Sequence, residues 1–200
     1  MTTLPRLVVL VSGHGSNLQA ILDACASGEL PARVAAVISD QPGAFGLERA
    51  RRAGVPALPC RKRKAQDRRA YDAFLAELAA GYAPDWVVLA GWMRLLSGAF
   101  LCHFPGRVVN LHPALPGKFP GTHAIGRAYA AFGRGEISGT GVMIHLVPDE
   151  GVDNGPLLAQ HDVPIYPGES LEALEARIHA AEHSVLVQTL AHLCRGSTTT

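Results

Sequence analysis

Five short runs rich in Val, Leu and Ile recur along the chain, and segments of helical periodicity separate them. The runs are nearly all apolar rather than alternating, which is typical of strands buried on both faces of a sheet. Such runs, alternating with helices, predict βαβ units and a mostly parallel sheet in an α/β protein. The predicted strands are Leu7 to Val11, Val34 to Ile38, Trp86 to Ala90, Val108 to Leu111 and Val142 to Val147.

Two segments show the helical period most clearly. Apolar residues at helical spacing run from Asp67 to Tyr82, and a longer apolar stripe runs from Ser170 to Cys194. A length of 200 residues with 48% hydrophobic content is enough for one sizeable core and short for two. We predict one domain over residues 1–195, followed by a disordered tail at residues 196–200.

Charge and cysteine content argue against several classes of protein. A formal net charge of +1 gives no general attraction to nucleic acid or to an anionic membrane. The first apolar run, Leu7 to Val11, is too short for a signal peptide or a membrane span, so a soluble cytoplasmic protein is expected. No CxxC pair occurs, and reduced structural thiols are expected at Cys25, Cys60, Cys102 and Cys194.

Polar and Gly-rich segments follow the predicted strands. In an open parallel sheet, ligands bind beyond the carboxyl ends of the strands, where the strand order reverses. We expect four segments to converge on one crevice there: Gly13 to Asn17, Gly91 to Arg94, Asn110 to Pro113 and Asp149 to Gly155.

The first of these segments leads from a strand into a helix. Its glycines allow close approach of a ligand, Ser16 or Asn17 can cap the helix, and free backbone amides there form an anion site. Leu18 stands where a dinucleotide fingerprint needs its third glycine, and the Gly-Lys-Ser/Thr of a P-loop is missing. A single phosphate is the expected ligand, and a plain capped turn is the alternative.

Asn110, His112 and Asp153 each follow an apolar run and can each take part in proton or oxyanion chemistry. A spacing of two places Asn110 and His112 on one side of an extended segment. An amide can hold an oxyanion, an imidazole can move a proton, and a carboxylate can set the charge of the imidazole. We expect Asp153 to keep His112 protonated.

Two further patterns carry weaker signals. The segment from His179 to His183 matches the H-x-x-E-H pattern of inverted zinc proteases. A catalytic zinc needs a third protein ligand, and no Asp or Glu follows His183, so no metal is predicted. Arg61 to Lys64, with Arg68 and Arg69, forms a basic stretch that we interpret as a solvated surface rather than a nucleic-acid site.

Four segments together resemble the folate-dependent glycinamide ribonucleotide transformylase family of purine biosynthesis, namely Val11 to Ile21, Leu89 to Arg94, Asn110 to Pro116 and Asp149 to Pro156. The likeness covers nearly the whole chain. It implies the formyltransferase fold, a single-domain Rossmann-like fold of three layers. It also implies transfer of a formyl group from 10-formyltetrahydrofolate to the glycyl amine of the ribonucleotide, by a monomer or homodimer without a metal.

The resemblance implies a role for each candidate site residue. Asn110, His112 and Asp153 would be catalytic. Gly15, Ser16 and Asn17 would hold the phosphate, and His179 and Glu182 would touch the ribonucleotide. The folate would contact Arg68, Met93, Arg94, Leu95, Leu96, Asn110, Pro148, Asp149, Glu150, Gly151 and Val152.

Two departures from the family pattern leave alternatives open. The spacing from His145 to Asp153 is one residue longer than usual, so Asp149 competes as the catalytic acid. The turn from Ala114 to Gly117 replaces the usual Ser-Leu-Leu-Pro. Alternative functions are a 10-formyltetrahydrofolate hydrolase, a methionyl-tRNA formyltransferase, or a nucleotide-binding regulatory module that would not need the three catalytic residues together.

Overall fold

A computed structural model describes residues 3–196 of the chain. Its strands are β1 (Arg6–Val11), β2 (Arg33–Ser39), β3 (Ala57–Pro59), β4 (Trp86–Leu89), β5 (Val108–His112), β6 (Gly139–Leu146) and β7 (Leu157–Pro164). Its helices are α1 (Ser16–Ser27), α2 (Phe45–Arg52), α3 (Arg68–Ala80), α4 (Gly98–Leu101), α5 (Ala124–Gly133) and α6 (Leu171–Gly196).

The strands of residues 3–196 form one seven-stranded sheet in the order β3-β2-β1-β4-β5-β6-β7. Pairing is parallel from β3 to β5, whereas β6 runs antiparallel to β5 and to β7. The predicted α/β class with a mostly parallel sheet is therefore confirmed. The order reverses between β1 and β4, which places a ligand crevice at their carboxyl ends.

The five predicted strands are confirmed, while β3 and β7 were not predicted. β3 spans only three residues, and β7 carries Gln160, His161 and Asp162 in succession. β7 is an edge strand with most of its residues exposed or half-buried, so it needs no continuous apolar run. Apolar periodicity reports burial, and an exposed edge strand does not show it.

Helices cover both faces of the sheet and make the three layers. Alternate residues of β1 point to opposite faces: Leu7, Val9 and Val11 pack in the core under α1 and α6, whereas Val8 and Leu10 pack in the core under α3 and α4. This burial on both sides explains the nearly continuous apolar strands.

The two helices predicted from periodicity are confirmed, and a side chain caps the start of each. The Asp67 carboxylate accepts a hydrogen bond from the Ala70 amide at 2.9 Å, and Ser170 Oγ accepts one from Ala173 at 3.2 Å. α6 continues to Gly196, which the sequence analysis had placed in the disordered tail. The rest of the predicted tail, residues 197–200, lies outside the described residues. Among residues 3–196, none of the helices has the length and apolar character needed to span a membrane.

Candidate active site

The loops after β1 and β4 meet at the reversal of strand order. The Ser12 amide donates to the Gly91 carbonyl at 3.0 Å, and the Met93 amide donates to Ser12 Oγ at 2.9 Å. A cleft of about 900 Å³ opens beside them. It is lined by residues of all four segments that the sequence predicted to converge, together with His145, His179 and Glu182 from other parts of the chain.

The loop before α1 brings backbone amides to one end of this cleft. Ser16 and Asn17 lie in the first helical turn, where amide groups have no acceptor within the helix. The expectation that one of them caps the helix is wrong: the cap position is Gly15, in the left-handed region at φ 74°, and no side chain caps it. The first turn therefore keeps its amides available for an anion.

Gly15 is needed for packing as well as for its left-handed backbone. A Cβ at this position would lie 2.7 Å from Gly46 Cα in α2, which is too close for any side chain. Arg49, also in α2, fixes the neighbouring residue by donating from Nε to the His14 carbonyl at 2.9 Å. The shape of the loop is thus set by α2, which the sequence did not connect with this site.

Asp153 joins the two other predicted catalytic residues. Asn110 Nδ2 donates to Asp153 Oδ1 at 3.0 Å, and His112 Nδ1 lies 3.2 Å from Asp153 Oδ2. The Gly121 amide donates to the same Oδ2 at 2.8 Å. Asp149 instead accepts from the Gly151 amide at 2.7 Å. Despite the longer spacing from His145, the geometry thus favours Asp153 over Asp149 as the catalytic carboxylate.

His145 is a member of this cluster that the sequence analysis did not single out. It pairs with Asn110 across β5 and β6, and its Nε2 lies 3.1 Å from Asn110 Nδ2. Its Nδ1 faces the Leu146 carbonyl at 2.8 Å, so Nδ1 carries a proton and Nε2 accepts from the amide. One signal was available: a histidine inside an apolar strand, which is 2% exposed in the structure.

Burial opposes the positive charge that we expected on His112. Burial lowers the pKa of His112 from its ordinary value, and the Asp153 carboxylate and the Phe119 carbonyl raise it by less. This direction opposes the expectation that Asp153 keeps His112 protonated, since burial favours the neutral ring in the free protein. Burial raises the pKa of Asp153, but the neighbouring His145 ring and the hydrogen bond from the Gly121 amide outweigh burial, so this pKa lies below its usual value.

Both ring nitrogens of His112 nevertheless face acceptors. Nε2 lies 3.0 Å from the Phe119 carbonyl, and Nδ1 faces the Asp153 carboxylate. A neutral imidazole has one N–H and can donate to only one of them, whereas imidazolium donates to both. The ring is therefore placed to accept a proton when negative charge develops nearby.

His179 and Glu182 lie beside the first turn of α1. Glu182 is buried, and its Oε2 accepts from His179 Nδ1 at 2.7 Å and from Asn17 Nδ2 at 3.3 Å. The hydrogen bond to Glu182 raises the pKa of His179. Asn17 Oδ1 is buried and lacks a hydrogen-bond partner within residues 3–196. This part of the cleft thus presents a protonatable ring, a carboxylate and an open acceptor.

Most of the residues expected to hold the folate form another part of the cleft lining. Met93 and Leu95 are 66% and 49% exposed there, which provides apolar surface for a ring system, whereas Leu96 is buried. Met93 to Leu96 and Asp149 to Val152 line the cleft. Arg68 and Pro148 do not line it. Arg68 lies at its margin, 3.3 Å from Glu150 Oε2, and Pro148 is exposed nearby.

The zinc-like pattern has a different structural explanation. His179 and Glu182 bind each other, and His183 Nε2 is buried without a hydrogen-bond partner in the described part of the chain. No group of three or more His, Cys, Asp or Glu side chains within residues 3–196 is placed to hold a metal ion.

Comparison with known proteins identifies relatives across nearly the whole chain. A family model described as formyl transferase matches residues 5–190. The phosphoribosylglycinamide formyltransferase of Schizosaccharomyces pombe is 47% identical over 92% of this chain and 94% of its own length. The enzyme of that name from Escherichia coli is 45% identical over 90% of this chain and 82% of its own.

Solved structures show the same fold. The crystal structure of glycinamide ribonucleotide transformylase 1 from Symbiobacterium toebii superposes with a TM-score of 0.90 at 45% identity. The match covers 96% of this chain and 89% of that one.

The packing of Gly15 predicts a loss of stability in Gly15→Ala. The left-handed backbone costs a side chain about 1–2 kcal/mol, and overpacking against Gly46 adds roughly 1–3 kcal/mol. Urea unfolding should measure a total loss of about 2–5 kcal/mol by these two effects. Gly13→Ala is the matched control, because nothing lies within 4 Å of its Cβ position. Equal stability of the two variants would contradict the packing argument.

The burial of His112 predicts how its ring titrates. In the free protein its pKa should lie below 6.5, and Asp153→Asn should lower it further because the carboxylate that raises it is removed. NMR of the ring protons measures the pKa, with the signal assigned by its loss in His112→Ala. Asp149→Asn should leave the value unchanged. A His112 pKa above 6.5, or a higher His112 pKa in Asp153→Asn, would contradict the conclusion that burial outweighs the Asp153 carboxylate.

Proposed function

The chain belongs to the formyl transferase family, and we propose that it transfers the formyl group of 10-formyltetrahydrofolate to the amine of 5-phosphoribosylglycinamide in de novo purine biosynthesis. It is thus a one-carbon transferase. The observation that carries this function is the lining of one cleft, which combines an anion site, an exposed apolar surface and the cluster of Asn110, His112 and Asp153.

The anion end suits the ribonucleotide. Its phosphate would bind the amides of Gly15, Ser16 and Asn17, where the helix dipole and free N–H groups favour negative charge. Glu182 and Asn17 Oδ1 are acceptors, and hydroxyl or amine groups of the sugar and glycyl portion are suitable donors to them. His179 would lie at the rim, where its raised pKa favours a positive charge.

The apolar end suits the pterin of the co-substrate. Met93 and Leu95 would pack against the ring, and the backbone from Asp149 to Val152 would hydrogen-bond its edge. Glu150 Oε1 accepts from the Gly98 amide at 2.9 Å, which anchors this loop to α4. Arg68, which contacts Glu150, would lie beside the glutamate of the folate tail.

We assign His112 the role of the proton carrier. The amine nitrogen attacks the formyl carbon, the carbonyl becomes an oxyanion, and the attacking nitrogen must lose a proton. The developing negative charge raises the pKa of His112, and protonation lets the ring donate to both Asp153 and the Phe119 carbonyl. The proton then goes to N10 of the folate as the carbon–nitrogen bond to the formyl group breaks. The reaction thus conserves protons and needs no metal.

Asn110 would stabilise the oxyanion, at the expense of an existing contact. Both amide protons of Asn110 are engaged, one by Asp153 Oδ1 and one by His145 Nε2. The formyl oxygen must take one of them, and an imidazole nitrogen is a weaker acceptor than a carboxylate. His145 would therefore hold the amide in place before the reaction and release one proton during it. Removal of one hydrogen-bond donor to an oxyanion typically lowers kcat about 10²- to 10³-fold.

The rival activities differ in the acceptor of the formyl group. A hydrolase uses water, and a methionyl-tRNA formyltransferase uses an aminoacyl-tRNA. The anion site of α1 lies within the same cleft as His112, which favours an acceptor that carries a phosphate close to its amine. Action in the cytoplasm, absence of nucleic-acid partners, and a monomeric or homodimeric state stay predictions.

One assay separates these activities. Consumption of 10-formyltetrahydrofolate is followed with glycinamide ribonucleotide, with buffer alone, and with methionyl initiator tRNA, each with and without EDTA. Rapid, EDTA-resistant consumption should require the ribonucleotide. Equal consumption in buffer alone would identify a hydrolase, and consumption that requires the tRNA would identify the tRNA enzyme. Loss of consumption in EDTA, with recovery on adding zinc, would show a metal enzyme.

The assigned role of His112 predicts a defect in chemistry rather than in binding. His112→Ala should lower the single-turnover rate by about 10²–10⁴, the usual contribution of a positioned acid or base, with little change in the Kd of either substrate. His161→Ala, an exposed histidine of β7, is the matched control and should keep the full rate. A fall of less than about tenfold would assign the proton transfer to another group.

A further inference from the structure

Two carbonyl groups of the loop before α1 are held by α2. The Gly13 carbonyl accepts a hydrogen bond from the Gly46 amide at 3.1 Å. The His14 carbonyl accepts one from Arg49 Nε at 2.9 Å. A trans peptide is planar, so the amide that follows each carbonyl points in the opposite direction. The amides of His14 and Gly15 therefore both point away from α2.

The side of the loop opposite α2 forms the cleft. Residues from Gly13 to Asn17 line it, whereas no residue of α2, which the structure describes throughout, does so. Neither the His14 amide nor the Gly15 amide has a hydrogen-bond acceptor within residues 3–196. Successive backbone amides that point the same way form a concave anion site. This pair is therefore available to an anionic ligand in the cleft.

The guanidinium of Arg49 is fixed from several sides. Besides its bond to the His14 carbonyl, it donates from Nη1 to Gln19 Oε1 in α1 at 3.0 Å. Its Cζ lies 4.8 Å from the centroid of the Phe45 ring, and the His14 ring stacks on the same ring with 5.4 Å between centroids. Arg49 thus ties the loop, α1 and α2 together. A lysine at this position would lack the planar fork that makes these contacts at once.

The positive charge of Arg49 has no carboxylate partner within residues 3–196. The neighbouring Glu48 pairs instead with Arg51 and Arg52, at 3.7 Å and 2.9 Å. The Arg49 side chain also comes close to the anion site, because a Cβ at Gly15 would lie 3.6 Å from Arg49 Cδ. An unneutralised cation therefore lies behind the amides of the loop.

We propose that Arg49 is a positioning residue for the ribonucleotide, which aims the amides of His14 and Gly15 at the phosphate and holds a fixed positive charge behind them. This inference rests on the proposed function, which places the phosphate in the loop before α1. Arg49 acts through the loop rather than by direct contact, because its donors are engaged by the His14 carbonyl and Gln19. Its effect is therefore confined to ligands that carry the phosphate.

Equilibrium binding of two ligands that differ only in the phosphate tests this role. Titration calorimetry compares glycinamide ribonucleotide with glycinamide riboside, which lacks the phosphate. R49K keeps the charge and loses the fork, so it should bind the ribonucleotide about tenfold more weakly, the contribution of roughly one hydrogen bond to a charged group. R49M loses both and should bind it more weakly still. The Kd of the riboside should stay within about twofold of the wild-type value in both variants.

A kinetic measurement and a control separate positioning from general support of the fold. With saturating ribonucleotide, the single-turnover rate of R49K should stay within about twofold of the wild-type rate, so that the defect appears in KM and not in kcat. R51K and R51M are the matched controls in the same helix, because Arg51 is exposed and pairs with Glu48. They should bind both ligands as the wild-type protein does. If R49M fails to fold, R49K alone decides the outcome.

Three outcomes would overturn the proposal. They are wild-type affinity for the ribonucleotide in R49K, equal weakening of ribonucleotide and riboside binding in R49K, and a loss of the same size in R51K. If the wild-type protein prefers the ribonucleotide to the riboside and R49K keeps that preference, only this inference fails. If the wild-type protein shows no such preference, the phosphate site of the proposed function fails with it.

Discussion

The carboxylate of Asp153 is the contact on which the proposed catalytic cluster depends. One oxygen accepts from Asn110, and the other faces His112 and accepts from the Gly121 amide. Asp153 adopts a left-handed backbone at φ 49°, a conformation that Asp tolerates better than most residues. The chain then passes so close to β6 that a Cβ at Gly155 would lie 1.8 Å from the Leu146 carbonyl oxygen. The β6–β7 connection is thus built to present this one carboxylate.

The same contacts explain why a buried histidine can serve in proton transfer. Burial favours a neutral His112, and two facing acceptors favour a charged one. Because these influences oppose each other, a change in local charge shifts the balance between the neutral and the charged ring. A histidine held firmly in either state would be a poorer carrier, since an effective catalytic pKa lies near the working pH.

The sequence predicted the strands and loops whose positions follow from burial along the chain. It missed the contacts that depend on pairing between strands. Strands such as Val34 to Ile38 are confirmed because an apolar run reports burial on two faces, and the convergence of four loops follows from their positions after strands. The partnership of His145 with Asn110 depends on the register of an antiparallel pair, which periodicity does not encode. The contact of Gly15 with α2 and the burial that lowers the pKa of His112 likewise need three-dimensional packing.

The distribution of charge along the cleft accounts for how a nearly neutral chain can bind two anionic substrates. In the proposed function, uncharged amides of α1 would meet the phosphate of the ribonucleotide, and α2 sets the shape of their loop through Arg49. At the folate end, the cations lie outside the pterin surface, and the nearest of them, Arg68, is partly neutralised by Glu150. A single positive field over the whole cleft would attract either substrate to either end. Backbone amides suit a compact phosphate and side-chain cations suit an extended anionic tail, so the proposed arrangement would distinguish the two substrates.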